Sequence, residues 1–162
     1  MAEVLLSLGS NINREQNIRS CVMQLRELFG DIDISPVYES EAVGFDGDNF
    51  YNLVVAIKTH LSIADLQRLL QAIENDHGRN RTAPKFSARS LDIDILTYDD
   101  LQGKVDGVML PRDEILKNAF VLLPMADLKP AKCYPGTEST YLELWQKFDA
   151  HKQKLWRLKF HF

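Results

Sequence analysis

Two aspartates in an apolar stretch carry the strongest chemical signal of the sequence. Residues 91–97 predict a strand, in which Asp92 and Asp94 point to one face and Ile93 and Ile95 to the other. Residues two apart in a strand lie about 7 Å apart, so both carboxylates can converge on one or two hard cations. Mg²⁺ suits such a pair, because it takes few carboxylates and keeps positions for water and phosphate oxygens. The alternative is an exposed strand face, where acidic residues are ordinary.

A basic segment precedes this strand. Arg79, Arg81, Lys85 and Arg89 fall within eleven residues and outnumber the two aspartates that follow. A Mg-triphosphate would balance their charge, and the planar arginine fork meets phosphate oxygens in bidentate fashion. The alternative is a solvated charged loop, which we prefer for Lys85. We favour phosphate contact for Arg79 and Arg89, because they flank the loop next to ordered elements.

Other nucleotide and catalytic motifs are missing from the sequence. Gly9-Ser10-Asn11 lacks the Lys-Ser/Thr ending of a P-loop, and neither HExxH nor GxSxG occurs. The four histidines do not have metal-ligand spacing. The residues alone therefore indicate a Mg-nucleotide-dependent enzyme and nothing narrower.

Apolar periodicity predicts the elements that position these residues. A short strand at residues 4–8 precedes a helix whose apolar face runs from Ile18 to Phe29, with Asn13 and Gln16 as a capping box and Gly30 as its end. Ser62 with Asp65 opens a second helix that closes at His77-Gly78. We also predict strands at 32–37, 52–60 and 91–97, a short helix within 111–128 cut by Pro124, and a helix at 140–148.

The order β-α-β-β-α-β predicts an α+β fold of the ferredoxin-like, split β-α-β type. Its sheet would be largely antiparallel, with helices packed on one face. The 162 residues support one domain, and 45% hydrophobic with 26% charged residues is the balance of a globular protein.

Charge, cysteine content and the first residues restrict the partners and the cellular location that we expect. A net charge of −4 argues against a general nucleic-acid binder. The two cysteines form no disulfide framework, and no apolar stretch approaches the 18 residues of a membrane span. The first residues lack the basic start of a signal peptide, so we expect a cytoplasmic protein. Separately, our working expectation for the oligomeric state is a monomer.

Five stretches, in order along nearly the whole chain, carry a resemblance to a known family. They are Leu8-Gly9-Ser10-Asn11; Val37-Tyr38-Glu39-Ser40; Phe50-Tyr51-Asn52-Leu53; the run from Ile73-Glu74 through Gly78-Arg79, Arg81, Phe86 and Arg89 to 91–96; and 118–124. The sequence resembles the 6-hydroxymethyl-7,8-dihydropterin pyrophosphokinases of folate synthesis. The Arg-x-Leu-Asp-x-Asp-Ile core is the most specific part.

The resemblance implies Mg-dependent transfer of a pyrophosphoryl group from ATP to the pterin hydroxymethyl oxygen, with release of AMP. It implies that Asp92 and Asp94 hold two Mg²⁺ ions and that Arg79, Arg89 and Asp94 are catalytic. The residues it places around ATP are Gln71, Glu74, Arg79, Arg81, Arg89, Ile95 (through its backbone) and Arg112. Those it places around the pterin are Ser40, Val43, Phe50, Asn52, Asp92 and Phe120.

Some of these residues have structural alternatives. Phe50 and Phe120 would sandwich the flat pterin, or could simply pack in the core. Asn52 could read the amide-like edge of the pterin, or could cap a turn.

Several positions depart from the family pattern, among them three single residues. Phe86 stands where Trp is usual, Arg112 where His contacts ATP phosphate, and Asn118 where Arg is usual. We therefore weigh an active pyrophosphokinase against a non-catalytic or weakly active relative that binds pterin or nucleotide. A ferredoxin-like RNA-binding module is the third candidate, but the acidic balance and the absence of aromatic-basic strand motifs disfavour it.

Overall fold

The computed structural model describes residues 1–41, 47–78 and 90–162. The strands are β1 (Ala2–Ser10), β2 (Asp33–Ile34), β3 (Tyr38–Ser40), β4 (Phe50–Thr59), β5 (Asp92–Tyr98), β6 (Gly103–Val105), β7 (Val108–Leu110) and β8 (Leu155–Arg157). The helices are α1 (Arg14–Phe29), α2 (Ile63–Asp76), α3 (Glu114–Lys117), α4 (Ala119–Leu128) and α5 (Tyr141–Lys147). A single 3₁₀ turn follows at Ala150–Lys152.

The main sheet has the order β5-β1-β4-β3-β8, and β2 adds to β4. Every described pairing in it is antiparallel. The central strand β1 pairs along its whole length with β4 and carries β5 on its other side. The expected α+β, ferredoxin-like architecture with a largely antiparallel sheet is confirmed, and β5 is an edge strand.

The helices cover both faces of the sheet, so the expectation of one covered face is wrong. Alternate residues of β1 show this: Leu6 and Leu8 pack with α1 and α2, whereas Leu5 packs with α3, α4 and α5. The continuous apolar run at residues 4–6 is typical of a strand that is buried on both faces. Since helices of the described ranges pack on both faces of the central strands, the ends and edges of the sheet are the places to look for a site.

The predicted helix ends are mostly correct. The Ser62 hydroxyl accepts a hydrogen bond from the Asp65 amide at 3.1 Å, and α1 ends at Gly30, whose φ of +74° suits glycine. The capping box at the start of α1 is wrong. Asn13 takes a left-handed conformation (φ 44°), and its side chain caps no amide.

Pro124 does not cut the helix in which it lies. Helix α4 continues through it from Ala119 to Leu128. A proline inside a helix costs about 3 kcal/mol. Here Val121, Leu122 and Met125 are buried in the second core, and their burial offsets that cost.

Asp106 and Gly107 form a tight turn between β6 and β7 that the sequence analysis missed. Both residues have positive φ angles, 50° and 82°, as the two central residues of a type I′ hairpin turn require. No helix in the described part of the chain combines the length and apolarity needed to cross a membrane.

Candidate active site

Asp92 and Asp94, the aspartate pair, lie at the start of edge strand β5. They stand opposite Gly9 and Ser7 of β1, whereas the intervening Ile93 is buried in the core under α1 and α2. Both aspartates are half-buried. The predicted alternation is therefore present: both carboxylates lie on the face of β5 opposite to that core.

The aspartate pair concentrates negative charge in a desolvated place. Burial raises the pKa of Asp94 well above its ordinary value, and the neighbouring Asp92 carboxylate raises it further. A hydrogen bond between the two carboxyl groups acts in the same direction, and Arg112 opposes it. Two acids held this close favour a bound cation, because a cation relieves both the desolvation and the mutual repulsion.

Arg112 faces the pair from the segment between β7 and α3. Its Nη2 atom lies 3.7 Å from Asp94 Oδ1 and 2.8 Å from Glu114 Oε1. Its backbone amide donates to the Leu96 carbonyl at 2.9 Å, which fixes the segment against β5. Burial lowers the pKa of the guanidinium, but the Asp94 and Glu114 carboxylates raise it, and the net shift is upward. Arg112 is therefore charged and is shared by two acids.

Glu74 is a buried carboxylate on α2 that contacts the backbone of β5 between the two aspartates. It accepts a hydrogen bond from the Ile93 amide at 2.8 Å. Among the described strands none pairs with the outer side of β5, and Glu74 supplies the acceptor for this amide. The contact fixes the backbone between Asp92 and Asp94.

Asn52 lies two strands away, on the same face of the sheet as Asp92. Both residues stand opposite Gly9, one on each side of β1. The buried Asn52 side chain donates from Nδ2 to Ser40 Oγ at 2.8 Å. A Cβ atom on Gly9 would lie 3.0 Å from Asn52 Oδ1, so glycine leaves the space that this amide occupies. Asn52 lies within β4 and does not cap a turn.

Gly9, Asn52 and Asp92 form a row across three strands, and the two predicted aromatic residues lie differently with respect to it. Phe50 begins β4 opposite Ser40, on the same strand face as Asn52, and its Cδ1 would be 3.9 Å from a Cβ on Gly9. Phe120 lies in the first turn of α4, partly buried against the second core. Core packing thus accounts for part of the Phe120 surface, whereas Phe50 stands at the end of the sheet.

Two other predicted residues lie near α2 and β5. Gln71 is on the exposed face of α2, three residues before Glu74. The Ile95 side chain is buried in the first core, and the residue pairs with Leu6, so only its backbone remains for a ligand. Arg79, Arg81, Arg89 and Val43, like Lys85 and Phe86, lie outside the described residues.

The sequence analysis missed a contact that fixes the entry to β5. The Ser90 carbonyl accepts hydrogen bonds from the Ser10 hydroxyl and from Asn17 Nδ2, the latter at 3.1 Å. Asn17 also donates to the Ile12 carbonyl at 2.7 Å. It missed Glu114 as well, although an acid two residues after Arg112 was a visible signal.

Two open clefts in the described structure lie away from the aspartate pair. One open cleft of about 460 Å³ lies around Cys133 and Tyr134, and one of about 400 Å³ lies beside Arg14 and Tyr51. Among the described residues, no group of three or more His, Cys, Asp or Glu side chains could hold a metal ion. The aspartate pair offers two carboxylates, and two carboxylates suit an ion that keeps water and phosphate ligands.

This α+β fold and its site suit an enzyme that handles phosphate groups with a divalent cation, because the two aspartates can bind a hard cation and the arginine beside them can bind phosphate. A model of the family 7,8-dihydro-6-hydroxymethylpterin-pyrophosphokinase (HPPK) matches residues 5–130. The chain therefore belongs to the HPPK family.

Individual relatives agree with this membership. The 2-amino-4-hydroxy-6-hydroxymethyldihydropteridine pyrophosphokinase of Aquifex aeolicus is 34% identical over 137 residues, which cover 83% of this chain and 85% of that protein. The folic acid synthesis protein fol1 of Schizosaccharomyces pombe is 32% identical over 155 residues, which cover 93% of this chain but 21% of that longer protein.

A solved structure supports the fold. The crystal structure of wild-type Plasmodium falciparum HPPK-DHPS with SDX-DHP superposes with a TM-score of 0.67 at 16% identity. The match covers 91% of this chain and 43% of that one. This chain thus spans less than half of that protein, and the likeness shows the fold alone.

Proposed function

We propose that this protein transfers the pyrophosphoryl group of ATP to 6-hydroxymethyl-7,8-dihydropterin and releases AMP, in folate biosynthesis. We treat residues 1–162 as one domain that carries this activity. The observation that carries the proposal is the aspartate pair: a member of the HPPK family keeps both carboxylates on one face of β5.

The donor chemistry of the pair fits Mg²⁺. Asp92 and Asp94 offer hard oxygen ligands, and their proximity leaves negative charge that a cation would neutralise. We assign both carboxylates to two Mg²⁺ ions that enter with ATP. When bound, such ions neutralise phosphate charge and lower the pKa of a nearby hydroxyl.

The pterin part of the proposal uses the row around Gly9. Asn52 is held by Ser40 and keeps amide groups for the edge of the pterin, where Asp92 and the backbone near Ser40 and Val43 assist. Phe50 and Phe120 stack on the two faces of the ring. A rigid amide between two flat aromatic surfaces suits a planar heterocycle with a donor-acceptor edge.

The ATP part of the proposal is spread over α2, β5 and the basic segment. We assign to it Gln71, Glu74, Arg79, Arg81, Arg89, the backbone of Ile95, and Arg112. Arg79 and Arg89 stabilise the charge of the transferred group, and Asp94 acts through the metal. Glu74 contributes by fixing the β5 backbone at Ile93.

The reaction is an in-line displacement at the β-phosphorus of ATP. The pterin hydroxymethyl oxygen forms a bond to this phosphorus and releases its proton to the solvent. The bond from the β-phosphorus to the α,β-bridging oxygen breaks, and AMP leaves with that electron pair. The protein positions the two reactants and neutralises charge, which together supply most of the catalysis in phosphoryl transfer.

The test is a product analysis. The protein is mixed with ATP, Mg²⁺ and 6-hydroxymethyl-7,8-dihydropterin, and the adenine nucleotides are separated by chromatography. AMP in equal amount to pyrophosphorylated pterin supports the proposal. ADP would mean attack at the γ-phosphorus and would contradict it. Pterin binding without either product would identify a non-catalytic relative instead.

A further inference from the structure

Arg112 places a positive charge of the protein beside the aspartate pair. Arg112 faces Asp94 while its shorter contact is with Glu114. We propose that Arg112 is a resident counter-ion of the aspartate pair and competes with a divalent cation for it. This side chain would then set the metal affinity of the protein. The inference rests on the metal assignment of the proposed function.

The geometry suits a competitor better than a permanent partner. The distance of 3.7 Å between Arg112 Nη2 and Asp94 Oδ1 is too long for a hydrogen bond, so Arg112 does not occupy this Asp94 oxygen with a hydrogen bond. The 2.8 Å contact with Glu114 anchors the guanidinium beside them. The bond from the Arg112 amide to the Leu96 carbonyl ties its backbone to β5, two residues beyond Asp94.

Partial burial makes the charge of Arg112 effective. The side chains of Arg112 and Asp94 keep 30% and 26% of their exposure, so water screens this pair less than a surface pair. A unit charge a few ångströms from a bound divalent ion changes its dissociation constant by about tenfold after screening. Glu114 has the opposite sign and favours the metal.

The experiment measures Mn²⁺ alone, by electron paramagnetic resonance of the free ion, with the full chain and no nucleotide. Arg112→Gln removes the charge and should bind Mn²⁺ about tenfold more tightly than the unmodified protein. Arg112→Lys keeps the charge and should stay close to the unmodified protein. Glu114→Gln should bind several-fold more weakly.

Lys117→Gln is the matched control. Lys117 is a cation three residues after Glu114 and four after Asp113, but it is exposed and pairs with Asp113 at 2.7 Å. Its removal should leave Mn²⁺ binding unchanged. Circular dichroism and urea unfolding of each variant confirm that it is folded before it is titrated.

Asp94→Asn separates the inference from the proposed function. If this change weakens Mn²⁺ binding while Arg112→Gln binds no more tightly than the unmodified protein, the inference is overturned and the metal assignment stands. An equal gain in Lys117→Gln would also overturn it, since the effect would then be general. If neither the unmodified protein nor Arg112→Gln binds Mn²⁺ without nucleotide, the inference is overturned, whereas the metal assignment, in which the ions enter with ATP, is tested separately by AMP release from Asp94→Asn.

Discussion

At the scale of single residues, the account depends on two carboxylates that the fold holds in an unfavourable place. Asp94 is desolvated and lies next to Asp92, and these conditions raise its pKa. A protein that only needed stability would replace such a pair with neutral side chains. The cost of keeping the pair is explained if its charge binds a cation in the reaction.

Asp94→Asn should therefore separate activity from stability. We expect AMP release to fall at least 100-fold, because a neutral amide is a poor ligand for a hard cation. The midpoint of thermal unfolding without metal should stay equal or rise, because the change removes a charge repelled by Asp92. Asp113→Asn is the control, since Asp113 is exposed and bonded to Lys117. Retained AMP release in Asp94→Asn would contradict the role of the pair.

Gly9→Ala tests the space that Asn52 occupies. The new Cβ would lie 3.0 Å from Asn52 Oδ1 and must displace this amide. We expect KM for the pterin to rise several-fold and KM for ATP to stay nearly constant, as measured by steady-state kinetics. In an Asn52→Ala background, Gly9→Ala should add little, because interacting sites are not additive. Full additivity would mean that Gly9 acts independently of Asn52.

At the scale of elements, the sheet places the site by register. Gly9 of β1 brings Asn52 of β4 and Asp92 of β5 to the same row, although 40 residues separate them in sequence. Glu74 of α2 contacts β5 by accepting a hydrogen bond from the Ile93 amide. Asn17 of α1 donates a hydrogen bond to the carbonyl of Ser90, just before β5. The site is thus built from the ends of elements whose middles form the two cores.

Helix α1 contains two leucines, one buried and one exposed, that test the packing of the core between α1, α2 and the sheet. Leu25 is fully buried, whereas Leu28 of the same helix is 50% exposed. Leu25→Ala should lower the free energy of unfolding by about 2–5 kcal/mol, because it removes buried methyl groups and leaves a cavity. Leu28→Ala should cost under about 1 kcal/mol. Urea unfolding measures both, and equal losses would contradict the assigned face of α1.

Periodicity predicted most elements but not every contact between them. The alternation in β5 and the 3-4 spacing in α1 were readable because burial selects residue types at fixed intervals. The second helical layer was missed because the β-α-β-β-α-β order predicts helices on one face, although the continuous apolar run of β1 is typical of a strand buried on both faces. The capping box at Asn13 failed: Asn13 has a left-handed backbone conformation instead of the extended one usual for an N-cap, and its side chain makes no capping hydrogen bond.

The site itself was predictable only where chemistry follows local spacing. Asp92 and Asp94 are two apart in one strand, so their shared face could be predicted. The Glu74 contact with Ile93 and the Arg112 contact with Asp94 join separate elements, and their geometry depends on packing. The pterin does not follow from spacing at all, and its assignment came from family resemblance.

At the scale of the whole molecule, long-range contacts join the chain's distant parts to the central strand. Glu3, near the start of β1, bonds to Lys132 and also pairs with Lys129, at 3.8 Å, in the segment after α4. The hydrogen bond from Lys132 lowers the pKa of Glu3, and burial partly opposes this shift. Its ionised form is therefore favoured in the folded state.

Glu3→Gln should cost stability in a pH-dependent manner. The pKa of Glu3 is lowered in the folded state, so its carboxylate contributes fully to stability when the pH is above the ordinary pKa of 4.5. This contribution is lost as the pH falls through the lower pKa of the folded state. We expect a loss of about 1 kcal/mol at pH 7 that shrinks below pH 4.5, measured by urea unfolding. The exposed Glu15→Gln is the control and should cost about 0.5 kcal/mol or less. A constant deficit at all pH values would contradict this account of Glu3.

The most direct test of the central claim follows the bridging oxygen of ATP. The protein is given ATP with ¹⁸O in the α,β-bridge, Mg²⁺ and 6-hydroxymethyl-7,8-dihydropterin, and the products are read by ³¹P nuclear magnetic resonance, with Asp94→Asn alongside. The account predicts ¹⁸O in AMP, none in the pyrophosphorylated pterin, and no reaction by the variant. Label outside AMP, ADP as the product, or equal turnover by Asp94→Asn would contradict it.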